Sequence, residues 1–302
     1  MYINFELYKI FYHTAKAASF SEAARKLFIS QSAVSQAIGN LEDKIGSRLF
    51  VRKTRNTRLT VEGEVLLKHV EQAYNFIKTA EDKILEMQNL GLGEIKIGVG
   101  DTNCRFFLIP YLKNFTRLYP KIKFKVINRT SPQIIEILKS GQIDFGLVTL
   151  PVTDESIITK DFKEVEDIFV ASDKYSELKN KTISISELSQ YPLLLLQQDS
   201  STRRNLDLTF KKLGVDILPE IELESVELLV EFARIGLGIA HVLKESADTL
   251  IQSGELFIVK TKETFITRKL GFALMKDMPL SQASSEFLKH MSGDGFQDTP
   301  DN

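Results

Sequence analysis

Gln31, Ser32, Ser35 and Gln36 stand close together in the stretch FISQSAVSQAIGNLE, and each offers a hydrogen-bonding group without a charge. Base edges in the DNA major groove present donors and acceptors in fixed patterns that Gln and Ser match, whereas phosphates are met by cations, hydroxyls and helix N-termini. Further along, SRLFVRKTRNTRLT interleaves Arg52, Lys53, Arg55 and Arg58 with Thr54, Asn56 and Thr57. Cations in that pattern supply sequence-independent affinity for a phosphate backbone. A third group consists of hydroxyls and amides at Asp101-Thr102-Asn103, Thr130-Ser131 and Ser200-Ser201-Thr202. Each falls where a strand pattern gives way to a helix pattern, and a helix N-terminus with hydroxyls beside it suits a small anion. Helix capping is the plainer use of the same residue types.

Catalytic chemistry finds no comparable support. The chain shows no nucleophile–base pairing and no phosphate-binding glycine loop, and Gly98-Val99-Gly100 lacks the third glycine of a dinucleotide fingerprint. Cys104 is the single cysteine and the chain has four histidines, without metal-ligand spacing. No enzyme activity, metal or cofactor is therefore expected beyond a small effector. No run approaches the roughly 18 apolar residues of a membrane span, so a cytoplasmic protein without a membrane partner is expected. Its 302 residues, 43% hydrophobic and 26% charged, suffice for several domains with full cores.

Charge is unevenly placed. Residues 1–60 hold ten Lys and Arg against four acids, a net of +6, and the remaining 29 basic and 36 acidic residues leave −7. A basic N-terminal module on an acidic body points to a polyanion at that end.

The elements that must position these groups follow from periodicity. Residues 4–16 place Phe5, Tyr8, Phe11, Tyr12 and Ala15 at helical spacing, and Ser19 or Ser21 can cap a second helix through Ala23, Ala24 and Leu27. Ser30 is the expected N-cap of a third helix, whose stripe of Val34, Ile38, Leu41 and Ile45 leaves Gln31, Ser32, Ser35 and Gln36 on the opposite face. A short helix with neutral polar residues at its leading end, packed across a tight turn, is helix-turn-helix geometry. Residues 47–60 read as a hairpin with its tip near Arg55-Asn56, a basic wing beside that helix. From Leu66, apolar residues recur at Val70, Ala73, Ile77, Ala80, Ile84 and Met87, which is a coiled-coil seam on one long helix. After Gly91-Leu92-Gly93 the pattern changes to GEIKIGVG, FKVINRT and FGLVTL separated by helical segments, which predicts parallel α/β structure.

Ala23-Ala24, Leu27, Ser30-Gln31, Ala33-Val34-Ser35, Leu41-Glu42, Gly46, Leu49-Phe50, Arg52, Leu59-Thr60 and Gly63 together resemble the N-terminal domain of LysR-type transcriptional regulators. SGQIDFGLV and Pro110, Leu112, Phe115 and Tyr119-Pro120 extend the similarity. Two departures are Ser32, where the family often has Pro, and Phe28-Ile29, a turn without Gly.

The resemblance implies a multi-domain protein: a winged helix-turn-helix over residues 1–60, a linker and dimerisation helix over 61–90, and a two-lobed α/β effector domain, periplasmic-binding-protein-like, over 91–302. Lobe I would hold 91–163 and 267–293, lobe II 164–266, with 294–302 a disordered tail. It implies a DNA-binding regulator that works as a homodimer through the linker helix or as a homotetramer, with RNA polymerase as a further partner. DNA contacts would come from Ser30, Gln31, Ser32, Ser35, Gln36, Arg52, Lys53, Arg55 and Arg58. The small, anionic effector would meet Asp101, Thr102, Asn103, Thr130, Ser131, Ser200, Ser201 and Thr202, with Thr149, Ser225 and His241 at further cleft positions. Arg105, Arg129 and Arg203 are the cations available to it. The alternative is a two-lobed solute-binding protein without DNA binding.

Overall fold

The computed structural model describes residues 3–51, 57–88, 93–263, 267–276 and 278–293, with the backbone alone at 82–83 and 85–88. The chain divides into two compact units: 1–88 with 139–142, and 89–138 with 143–302.

In the first unit, α1 (Phe5–Ala17), α2 (Phe20–Leu27) and α3 (Gln31–Ile45) precede β1 (Phe50–Val51), β2 (Arg58–Leu59) and α4 (Val61–Gln88). Ser19 and Ser30 are the N-caps of α2 and α3, accepting from the N–H groups of Glu22 and Ala33. Phe28 ends α2 with φ 56°, a left-handed backbone that glycine adopts without steric cost, and its ring is 95% exposed. The core gathers Phe11, Ala23, Val34, Ile38, Leu41, Leu49 and Phe50, with Leu66 and Val70 of α4 packed into it. The first two seam positions are thus committed within the chain, a correction to an uninterrupted pairing surface. Tyr74 stacks on Tyr12 and Glu71 pairs with Lys16, so the first half of α4 is held by α1. Beyond it, Ile77, Ala80 and Ile84 are exposed. The Met87 side chain lies outside the described residues.

The second unit contains two sheets. The first runs through β3 (Gly93–Val99), α5 (Asp101–Asn103), a π-helical turn (Cys104–Leu108), α6 (Ile109–Leu118), β4 (Ile122–Asn128), α7 (Ser131–Lys139), β5 (Phe145–Thr149) and β6 (Ile157–Val165). The chain then crosses to β7 (Asp167–Ala171), β8 (Thr182–Ile183), α8 (Ile185–Leu188), β9 (Leu193–Leu196), α9 (Ser201–Lys212), β10 (Ile221–Leu223), α10 (Val226–Arg234), β11 (Ile239–Leu243), α11 (Lys244–Ser253) and β12 (Phe257–Thr261). It returns through β13 (Arg268–Met275) and ends in α12 (Gln282–Ser292). Strand order is β4-β3-β5-β13-β6 in one lobe and β10-β9-β11-β7-β12-β8 in the other. The chain passes between the two lobes twice, outward at Val165–Asp167. β3, β4 and β5 are parallel as expected, but β13 pairs antiparallel with both β5 and β6. The sheet is mixed because the returning strand enters from the far end.

Burial explains the patterning. All four leucines of β9 are buried, Leu193 and Leu195 on one face and Leu194 and Leu196 on the other, since a covered sheet buries both sets of alternating side chains. Gly98 and Gly146 are paired in β3 and β5, and a Cβ at either would run into Ile134 of α7. Their absence of side chains is what lets that helix lie close.

Candidate functional sites: the α3 face and the inter-lobe cavity

The leading end of α3 is built by its cap. Ser30 Oγ accepts from the Ala33 N–H at 3.1 Å and lies 2.9 Å from Ser32 Oγ, while Gln31, Ser32, Ser35 and Gln36 are all exposed. Val34, Ile38 and Leu41 fix the opposite face in the core, so helix rotation, and with it the direction of the polar face, is set by packing. Arg58 is exposed in β2, opposite Val51. Arg52, Lys53 and Arg55 lie outside the described residues.

The wing is anchored by a carboxylate that sequence patterning did not single out. Glu42 is buried; it accepts from the Leu49 N–H at 2.8 Å, the Phe50 N–H at 3.3 Å and Arg48 Nη1 at 2.7 Å. Burial pushes its carboxyl up, but those donors outweigh it and hold the group below its ordinary value of 4.5. Thr60 completes the anchor, donating to the Arg48 carbonyl and capping α4 through the Gly63 N–H. The sequence signal was a lone acid inside a helix's apolar stripe.

In the second unit, strand ends of both lobes surround a cavity of about 670 Å³. Asp101, Thr102, Asn103, Thr130, Ser131, Thr149, Ser200, Ser201, Thr202 and Ser225 all line it, joined by Arg129, Asp199, Glu224 and Arg268. The size is ordinary for a small-molecule site. Among the described hydroxyls of the cavity wall, Ser225 caps its helix, its Oγ accepting from the Leu228 N–H. The helix that runs from Asp101 through the π turn to Leu118, and α9, both start without a side-chain cap. Thr102, Ser200 and Thr202 make no side-chain hydrogen bond among the described residues. Ser131 Oγ instead accepts from the Thr149 N–H at 3.1 Å, and Thr149 Oγ1 from Arg268 at 3.3 Å. Asn103 is 9% exposed, lines the cavity and likewise has no side-chain partner among the described residues. Its amide opens on the cavity, where it is free to hydrogen-bond a ligand.

His241 is a correction. It lies in mid-strand on β11, two residues short of the end that reaches the cavity, where Leu243 takes the position. Its ring packs 4.7 Å from that of Phe169 and borders a separate cavity of about 590 Å³. Burial chiefly, with Arg268 assisting and Asp167 opposing, lowers its pKa to about 4 and keeps it neutral. Two of the candidate cations are also committed elsewhere. Buried Arg203 binds Asp207, Glu222 and the Leu196 carbonyl, tying α9 to the sheet. Arg105 pairs with Glu227 at 3.0 Å, which leaves Arg129 at the cavity wall.

Both regions of the chain match known protein families. Residues 5–64 match the model of the bacterial regulatory helix-turn-helix protein, lysR family, and residues 88–294 match the LysR substrate binding domain. The HTH-type transcriptional regulator CfxR of Cupriavidus necator is 27% identical over 276 residues, covering 91% of this chain and 87% of CfxR. Among solved structures, a full-length OxyR of Pseudomonas aeruginosa superposes with a TM-score of 0.69 at 18% identity, over 97% of this chain and 94% of that one. Full-length CbnR complexed with its target DNA does so at 0.67 and 18%, over 96% and 99%. A solute-binding protein without DNA binding does not account for the match at residues 5–64. With both domains present in this order, the chain belongs to the LysR family of DNA-binding transcriptional regulators.

Proposed function

We propose that this protein reads operator DNA through the exposed face of α3 and the adjoining wing, and that a small metabolite bearing an anionic group enters the inter-lobe cavity and shifts that binding. It does so in the cytoplasm as a homodimer paired along the exposed second half of α4, with tetramers as a further assembly and RNA polymerase as a further partner. The observation that carries the effector half is Asn103, buried as a residue, whose unpartnered amide opens on a cavity wall where the Thr102 and Thr202 hydroxyls are also free among the described residues. The DNA half is supported by the neutral, outward face of α3 and by the structural relative CbnR, which is seen on its target DNA.

Footprinting on genomic DNA selected by the purified protein should show half-sites about one helical turn apart. A thermal-shift screen of organic acids, amino acids and oxyanions should then yield a ligand, since a hundredfold excess over Kd stabilises by about 2.7 kcal/mol. Thr102→Ala and Thr202→Ala should abolish that shift with nearly unchanged unliganded melting, because neither hydroxyl caps its helix. Absence of sequence-selective protection would remove the DNA half; variants that bind as before would remove the effector half.

A further inference from the structure

The charges around the inter-lobe cavity do not describe a site for a simple anion. Its wall carries three carboxylates, Asp101, Asp199 and Glu224, and two guanidiniums, Arg129 and Arg268. Arg268 is neutralised by Asp167, to which it donates through Nε and Nη2. Asp101 accepts a hydrogen bond from the Asn128 amide at 3.0 Å, and neither it, Asp199 nor Glu224 has an ion-pair partner among the described residues. Arg129 also lacks a carboxylate partner among them and donates to the Asn128 carbonyl at 2.7 Å. Four helix N-termini reach the cavity: the 101–118 helix, α7, α9 and α10. At roughly half a positive charge each, they and Arg129 supply about as much positive character as the three carboxylates supply negative. The wall is bipolar.

The carboxylates are unevenly divided between the lobes, one with Arg129 and two together in the other. Asp199 and Glu224 follow β9 and β10, neighbouring parallel strands in which Leu196 stands opposite Leu223 and the Gln197 N–H donates to the Leu223 carbonyl. Both carboxylates therefore leave adjacent strand ends of one lobe. Arg129, Thr102 and the unpartnered amide of buried Asn103, together with Asp101, belong to the ends of β3 and β4 in the other lobe. We infer that the effector is a zwitterion of the amino-acid class, with its carboxylate held by Thr102, Asn103 and Arg129 and its ammonium held between Asp199 and Glu224. This rests on the cavity being the effector site; it adds the cationic half of the ligand. A lone anion would face two carboxylates without ion-pair partners among the described residues across the cavity, and a lone amine would use neither Arg129 nor the Asn103 amide.

The test uses the full-length protein and paired probes: each of the L-amino acids against its deaminated 2-oxo or 2-hydroxy acid, by thermal shift and then calorimetry. The expected result is an amino acid that binds at least tenfold more tightly than its deaminated counterpart. Asp199→Asn and Glu224→Gln should each weaken that amino acid at least tenfold, yet bind the deaminated acid as well as the parent does or better. Arg129→Gln should weaken both. Unliganded melting temperatures check that the three exposed positions have left the fold intact. A deaminated acid that binds as tightly as the amino acid overturns the zwitterion and leaves the anionic reading standing. Tightness unaffected by Asp199→Asn and Glu224→Gln, or a shift produced by Mg²⁺ or Ca²⁺ alone, overturns the ammonium site. If no member of either set binds, the effector reading falls with it.

Discussion

Arg268 Nη2 donates to Asp167 Oδ1 at 2.6 Å, and this buried pair joins the first residue of β13 to the first residue of β7 where the chain passes between lobes. Arg268 also donates to Thr149 Oγ1 and contributes to the cavity wall, so the crossing and the ligand site share one guanidinium. Removing one partner leaves an uncompensated buried charge. Arg268→Ala should therefore cost about 3–5 kcal/mol in urea unfolding, and the paired change Arg268→Leu with Asp167→Leu should recover much of it. A loss below about 1 kcal/mol for the single change would show the pair to be energetically idle.

Glu42 gives the first unit an acid-sensitive anchor. Its folded pKa is below its ordinary 4.5, so its contribution is complete above 4.5 and is lost as pH falls through the lower folded value. Glu42→Gln should cost about 1–3 kcal/mol at neutral pH and should flatten the loss of stability below pH 4.5. Parallel melting curves of parent and variant across that range would refute the assignment.

His241 acts in a higher window. Folded it titrates near 4 rather than 6.5, so the unfolded chain binds the extra proton first, and stability declines as pH falls from 6.5 toward 4. The linked loss is on the order of 3 kcal/mol. His241→Phe should remove that share of the pH dependence, as followed by thermal melting at intervals between pH 7 and 4. An unchanged slope would mean that the histidine titrates alike in the folded and unfolded chain.

Gln36 is exposed on the outward face of α3. Gln36→Ala should weaken operator binding by about 1–3 kcal/mol and random DNA very little. Anisotropy titrations on both DNAs decide it: equal losses would place Gln36 on the phosphates.

The two halves of α4 should respond differently. Ile77 and Ile84 are 45% and 56% exposed in the single chain. A carboxylate at Ile77 should dissociate the dimer in sedimentation, since pairing would bury it in both copies. Val70 is in the core of the first unit, so Val70→Asp should unfold that unit instead. A dimeric Ile77→Asp protein would move the pairing surface elsewhere.

Local order was legible in the residues themselves. The Ser30 cap, the stripe of Val34, Ile38 and Leu41, and the α/β alternation after Gly93 depend on neighbours within a few positions, where spacing and side-chain type decide conformation. The strand-to-helix junctions at Thr102, Ser131 and Ser200 were legible for the same reason, and so was their likeness to one another. What spacing could not reveal is which of them would serve as caps. Ser225 caps because it is the N-cap residue of α10, whereas Thr102 lies inside the first turn, behind the N-cap position held by Gly100. Nor could spacing pair Arg268 with Asp167, bury Glu42 under the wing, turn His241 away from the cavity, or commit Leu66 and Val70 to α1. Each of those depends on residues far apart in sequence, brought together by sheet order and the double crossing between lobes. The cavity's charge pattern is of this kind: Asp199 and Glu224 become neighbours because β9 and β10 pair in parallel, and they oppose Arg129 because the two lobes turn their strand ends toward one space.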